Sequence, residues 1–179
     1  MIANCKQYLF RTQTWGCVTV IGFKRAVTYF HNDHSALKPG DTLKIFECEG
    51  TRDLLNPDNI VFKEYVTTVI KTNLQSDWVL LESQVDLCCI EPSFGPVVDG
   101  YRYIQLGLSA RHETNSFLAI SSGVICSQRP NRVGHTLGST GGNPGDSGCP
   151  CFDESTGELM GINVGCENAS ITMVMMIVQ

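Results

Sequence analysis

The stretch Gly142-Asn143-Pro144-Gly145-Asp146-Ser147-Gly148-Cys149-Pro150 sets one serine between glycines, with an aspartate directly before it and a Gly-Asn-Pro-Gly turn leading in. A serine hydroxyl attacks a carbonyl only when it is exposed, has a base to take its proton, and stands beside backbone N–H groups that can hold an oxyanion. Flanking glycines let the backbone turn that tightly without a Cβ clash. Histidine has the right basicity for the proton transfer near neutral pH. The chain has four, His31, His34, His112 and His135. A carboxylate must then fix the imidazole tautomer and stabilise the imidazolium as it forms. Asp77, directly ahead of the apolar run Trp78-Val79-Leu80-Leu81, is a candidate, although aspartates also begin strands for purely structural reasons.

The elements that must position these groups read as strands. From Trp15 onward the chain alternates and is rich in β-branched residues, with strands expected over 16–23, 25–30, 42–48, 60–72 and 78–82. Turn signals at Lys38-Pro39-Gly40-Asp41 and Asn56-Pro57-Asp58-Asn59 separate them. A second group is expected over 101–108, 116–128 (broken near Gly123), 133–137, 149–152, 158–164 and 170–178. The opening 3–13 reads as either a short helix or a lead-in strand, and no long helix is expected. Many short strands in two near-equal groups predict an all-β molecule built as a pair of barrels. The expected division is a first barrel over residues 1–85 with His31 and Asp77, a linker over 86–100 with two prolines and two glycines, and a second barrel over 101–179 with Ser147.

Gly145-Asp146-Ser147-Gly148, with Pro150 two residues on, resembles the nucleophile loop of chymotrypsin-like (PA clan) serine proteases. Val27-Thr28-Tyr29-Phe30-His31 resembles the Val-Thr-x-x-His motif of that family, and Asp77 with its apolar strand resembles the Asp-(x)-apolar-Leu-Leu pattern. The order His, Asp, Ser is that of chymotrypsin rather than of subtilisin or the α/β-hydrolases. The resemblance covers most of the chain. It implies two six-stranded antiparallel β-barrels with the active site between them, His31 as general base, Asp77 as the orienting carboxylate and Ser147 as nucleophile. The backbone N–H groups of Gly145 and Ser147 would form the oxyanion hole, and Asp146 would shape the loop. His34, in the polar loop Asn32-Asp33-His34-Ser35, then reads as a solvated loop histidine, and His112 and His135 as structural or surface residues. The sequence lacks an Ile-Val-Gly-Gly start, and Asn32 rather than cysteine follows the histidine. Both departures suit an intracellular or viral member that needs no zymogen cleavage.

Met160-Gly161-Ile162-Asn163-Val164-Gly165 resembles the Gly-x-His-x-Gly strand of picornavirus-like main proteases and arterivirus-like serine proteases, whose histidine lines the S1 pocket. Asn163 stands at the histidine's place. An amide both donates and accepts, which implies a polar residue such as Gln, Glu or Asn before the scissile bond. Thr140 would contribute to the opposing wall, and the backbone of Val164 and Gly165 would pair with the substrate as an added strand. The alternative for Asn163 is a strand or turn residue bonding backbone. Gln179 matches the residue that a polyprotein-processing protease leaves at its own end, and equally suits an arbitrary boundary.

Composition narrows the partners. An apolar fraction of 42% suffices for a core in 179 residues. The net charge of -5 and the lack of a basic run argue against a nucleic-acid backbone as the main partner. No apolar run reaches membrane-span length, and the first residues carry no signal-peptide core. Nine cysteines, an odd number, then read as reduced thiols in the cytoplasm, the host's if the protein is viral. Cys88-Cys89 and Cys149-x-Cys151 form two pairs that a zinc ion would need, but no histidine stands at ligand spacing, so no metal and no cofactor is expected. The partner expected is a polypeptide bound as an extended strand. Three readings compete with a viral polyprotein-processing endopeptidase: a cellular trypsin-like peptidase with a regulatory or immune role, a catalytically silent two-barrel binding module, and a viral structural protein that cuts itself once.

Overall fold

The computed structural model describes residues 2–52, 60–109, 118–126, 133–139, 143–168 and 171–176, with residues 51, 52, 166–168 and 171–176 described by their backbone. The ambiguous opening is both helix and strand: a helical turn α1 (Ile2–Cys5), a 3-10 turn over Lys6–Tyr8, then β1 (Leu9–Thr12). Six strands follow in the first half: β2 (Cys17–Gly22), β3 (Arg25–Tyr29), β4 (Thr42–Glu47), the short β5 (Thr51–Arg52) and β6 (Ile60–Val61), and β7 (Glu64–Asn73). β8 (Trp78–Ser83) completes the half. The second half contributes β9 (Arg102–Gly107), β10 (Ala119–Val124), β11 (His135–Gly138), β12 (Pro150–Asp153), β13 (Leu159–Asn168) and β14 (Ile171–Met176).

Strands β1-β2-β3-β8-β7-β4 close into a six-stranded barrel, all neighbours antiparallel. Alternation drives this: β8 reads half-buried then buried along its whole length, so one face lines the barrel and the other meets solvent. The stretch expected as one strand over 60–72 is split at Phe62-Lys63, because Ile60 and Val61 pair with β5 outside the barrel while β7 stays within it. The second sheet has six strands in the order β10-β9-β12-β13-β14-β11. It is an open sheet, which corrects the expectation of two closed barrels. Among the described residues its edges meet at the isolated bridge Ile125↔Gly138 and at a hydrogen bond from Val124 N–H to Ser139 Oγ. Gly138 has no room for a side chain there, because a Cβ would collide with the Tyr103 hydroxyl. The stretch expected over 116–128 ends its ladder close to Gly123: Gly123 lies opposite Tyr103, β10 stops at Val124, and Ile125 bridges to Gly138 instead.

One hydrophobic core runs through both sheets. Phe10, Val18, Val20, Ile45, Val69, Val79 and Leu81 of the barrel join Leu106, Leu108, Phe152 and Leu159 of the second sheet in a single buried cluster. A smaller cluster packs Val27 of β3 against Ile162 and Val164 of β13, with Trp78 against it. Burying side chains of this size is worth roughly 1.5–3 kcal/mol each. This packing sets β3, which leads toward His31, against β13, which runs past the loop that carries Ser147.

Candidate active site

His31 lies two residues beyond the end of β3, and Asp77 directly precedes the first residue of β8. The β3–β8 ladder ends on the pair Tyr29↔Trp78, so Phe30 and Asp77 come next on the two strands. In place of a further ladder bond, the Phe30 N–H donates to Asp77 Oδ1 at 3.0 Å. The other carboxylate oxygen, Oδ2, lies 2.6 Å from His31 Nδ1. Asp77 achieves this with φ at 56°, a left-handed conformation that costs a non-glycine residue roughly 1 kcal/mol or more. His31 Nε2 is in turn 3.0 Å from Ser147 Oγ. An ionised carboxylate only accepts, so Nδ1 carries a hydrogen and a neutral ring presents a lone pair at Nε2 to the serine. Both side chains of the His–Asp pair are partly open, at 33% and 22% exposure, so the pair stands in a cleft and not in the core.

The loop carrying Ser147 is fixed from below. Asp146, 2% exposed, accepts from Ser109 N–H at 3.0 Å through Oδ1 and from Asn143 N–H at 3.2 Å through Oδ2. The expected loop-shaping role is therefore filled by two backbone donors. Gly107 leaves the space for that carboxylate, since a Cβ there would run into it. Gly145 and Gly148 take φ of 103° and 83°, and a Cβ at Gly148 would strike the Cys17 carbonyl. Across the cleft the barrel grips the loop: Thr19 Oγ1 donates to the Gly148 carbonyl at 2.7 Å, and Cys17 Sγ lies 3.2 Å from the Gly145 carbonyl. No hydrogen bond among the described residues uses the N–H of Gly145 or of Ser147, which leaves both donors uncommitted.

Asn163 is 2% exposed and belongs to the same frame. Its N–H donates to the Cys149 carbonyl at 2.9 Å, and its carbonyl accepts from Gly148 at 2.6 Å. Its side-chain Oδ1 accepts from Gly165 N–H at 2.9 Å, where the β13–β14 register shifts. Backbone bonding, the alternative for this residue, thus occupies its oxygen. Val164 is buried and Gly165 half-buried, on the part of β13 that has run past its pairing with β12. Thr140, His112 and Gln179 lie outside the described residues.

His34 is not solvated. It is 3% exposed, its Nδ1 sits 3.1 Å from the Tyr29 carbonyl, and its ring stacks on Tyr29 at 4.3 Å. The 3-10 turn Asn32–His34 folds it back under β3. Burial pushes its pKa below the ordinary value. Tyr29 also contacts the His31 ring, tilted at 4.6 Å, and its hydroxyl donates to Asp33 at 2.8 Å. Burial opposes ionisation of Asp33, but hydrogen bonds from Thr14 and Tyr29 outweigh it and hold this carboxyl below its usual range. Neither Tyr29 nor Asp33 stood out in the sequence, since an aspartate four residues after a strand-ending tyrosine carries no motif. His135, 6% exposed, donates from Nε2 to the Ser76 carbonyl at 2.9 Å and so touches the residue next to Asp77.

Cys5, Cys17, Cys48, Cys88, Cys89, Cys126, Cys149 and Cys151 are free thiols. Burial pushes Cys88 up to about 11 and raises Cys149 well above the ordinary value. Thiols so disposed are poor nucleophiles and poor metal ligands. Among the described residues no group of three or more His, Cys, Asp or Glu is placed to hold a metal ion, and no helix is long and apolar enough to cross a membrane.

No protein-family model and no curated protein matches the sequence. Solved structures do match. The Rv3671c protease of M. tuberculosis, active form, is 16% identical over 98% of this chain and 78% of its own, with a TM-score of 0.68. The MamO protease domain of Magnetospirillum magneticum is 14% identical over 97% and 93%, also at 0.68. A serine endoprotease of Yersinia pestis is 14% identical over 90% of this chain and 53% of its own, at 0.63. The chain therefore has the chymotrypsin-like serine protease fold.

Proposed function

We propose that the chain is a serine endopeptidase working through His31, Asp77 and Ser147. The observation that carries this reading is one imidazole spanning the other two groups, 2.6 Å from Asp77 and 3.0 Å from Ser147. Ser147 Oγ attacks the substrate carbonyl while His31 Nε2 takes its proton. The oxyanion is received by the N–H groups of Gly145 and Ser147, donors aimed at charge that exists only in the transition state. His31, now an imidazolium held by Asp77, gives its proton to the leaving amine, and an acyl ester remains on Ser147. A water that His31 deprotonates then hydrolyses the ester and restores the serine.

The substrate lies as an extended strand along Val164 and Gly165, where β13 has left β12. This supplies affinity from main-chain bonds without sequence choice. Selectivity for a polar residue before the scissile bond is assigned to Asn163, whose oxygen is held by Gly165 so that its amide nitrogen is the group left to offer, with Thr140 opposite. The strand's likeness to viral main proteases supports polyprotein processing in a host cytoplasm, a reducing setting that suits free cysteines. The first barrel, the linker and the second sheet divide at residues 85 and 100 in this reading.

Labelling with a fluorophosphonate, followed by intact mass, tests the proposal without a known substrate. One adduct on the native chain and none on Ser147→Ala is expected. An adduct on both, or on neither although the native chain is folded, overturns it and favours a silent binding module.

A further inference from the structure

A carboxylate that orients an imidazole must itself be held. Among the described residues the Asp77 carboxylate bonds the Phe30 N–H and His31 and nothing more, while its backbone sits in the unfavourable left-handed region at φ 56°. What maintains that φ lies one residue earlier. Rotation about φ of Asp77 turns it against the plane of the Ser76–Asp77 peptide, so anchoring the Ser76 carbonyl fixes the reference plane. Ser76 N–H is bonded within its own turn, to Asn73 Oδ1 at 2.9 Å. Its other two groups reach the start of β11 and the turn just before it. Ser76 Oγ donates to the Val133 carbonyl at 2.6 Å, and the Ser76 carbonyl accepts from His135 Nε2 at 2.9 Å, contacts that bridge 57 and 59 residues of chain.

We propose that His135 is a positioning residue: from the start of β11 it clamps the Ser76 carbonyl and thereby keeps Asp77 in the geometry that His31 requires. A carbonyl accepts and never donates, so the contact fixes the Nε2–H form of His135. The ring is buried, so its orientation is set by packing and its hydrogen bond needs no further ordering on substrate binding. The physical consequence is that the orienting carboxylate of the first barrel is set by the second sheet. Assembly of the triad then depends on docking of the two halves, in addition to the serine and histidine coming from opposite sides of the cleft. The inference rests on Asp77 acting as the triad carboxylate.

The test uses His135→Phe, which keeps a ring in the buried space and removes the donor, beside His135→Gln, which restores an N–H. Two readouts apply: the rate of fluorophosphonate inactivation, and the low-field proton resonance of the His31–Asp77 hydrogen bond. His135→Phe is expected to label Ser147 to completion but more slowly, on the order of 10²-fold, as displacement of a reacting group by about 1 Å does. Its low-field proton should shift or broaden, and His135→Gln should recover both signals. A purely structural residue would lower the melting temperature and leave that proton in place. Native labelling with an unmoved proton in folded His135→Phe overturns the proposal. If the Phe variant does not fold, Ser76→Ala, which deletes the arm to Val133, carries the test, and native values for it count against the clamp. Asp77→Asn and Ser147→Ala run in parallel separate the two failures. If both lose reactivity while His135→Phe keeps it, only the clamp falls; if either keeps it, the triad falls and takes the clamp with it.

Discussion

In the proposed triad His31 takes the serine proton through an unprotonated Nε2, and the Asp77 carboxylate selects that tautomer of the neutral ring by holding the hydrogen on Nδ1. Asp77→Asn keeps the shape and loses the charge; its amide can present a donor to Nδ1 and so favour the wrong tautomer. The labelling rate should fall on the order of 10⁴-fold, measured with the same probe. Native rates would leave Asp77 as a strand-start residue. His34 behaves differently. It is buried against Tyr29, so His34→Ala opens a void beneath the ring that contacts His31. We expect a loss of roughly 1–3 kcal/mol in urea denaturation, with Ser147 still labelled in the folded fraction. Abolished labelling in a folded variant would move the base role away from His31.

The Ser147 loop is the element on which the proposed chemistry depends, and it is held by backbone rather than by a charge partner. Asp146 satisfies two N–H groups, and one of its oxygens cannot be replaced by an NH2 group without setting donor against donor. Asp146→Asn should therefore cost about 1–3 kcal/mol, read as a lower urea midpoint at an unchanged slope. A midpoint equal to the native one would show that the loop holds its shape without this carboxylate. β13 supports the loop from the other side: Asn163 exchanges backbone hydrogen bonds with Gly148 and Cys149. A residue in that position serves the loop first, and any reading of substrate is left to its remaining amide nitrogen.

At the scale of the whole molecule, two sheets share one core and meet at the candidate site, so agents that loosen the interface act on chemistry and stability together. Acid is one. His34 is buried neutral, with its pKa pushed below 6.5. Between that lowered value and 6.5 the unfolded chain binds more protons than the folded one, so stability rises with pH across the window and is complete above it. The urea midpoint should fall as pH drops below 6.5, and His34→Gln, which has no proton to take up, should lose less over the same interval. Equal losses in both would assign the acid sensitivity to other groups. Asp33 adds to the loss only at lower pH, since its carboxyl is held below 3.8.

The sequence alone determined the all-β class and the position of most strands along both halves, and it pointed to His31, Asp77 and Ser147 as candidates, because these depend on local alternation, glycine placement and short motifs. Where burial is set by distant chain it was silent or wrong. His34 sits in a polar tetrapeptide that reads as solvated, yet a 3-10 turn tucks it under β3. The second sheet was expected to close, but strand pairing beyond one bridge depends on register between segments far apart in sequence, which periodicity does not encode. For Asn163 the sequence left a pocket role and a backbone-bonding role open, and only the register shift in β13 shows its oxygen bonded to Gly165. His135 carried no motif at all. Its contact with Ser76 exists only because folding brings residues 59 apart to one place, and hydrogen bonds of that range are decided by tertiary structure.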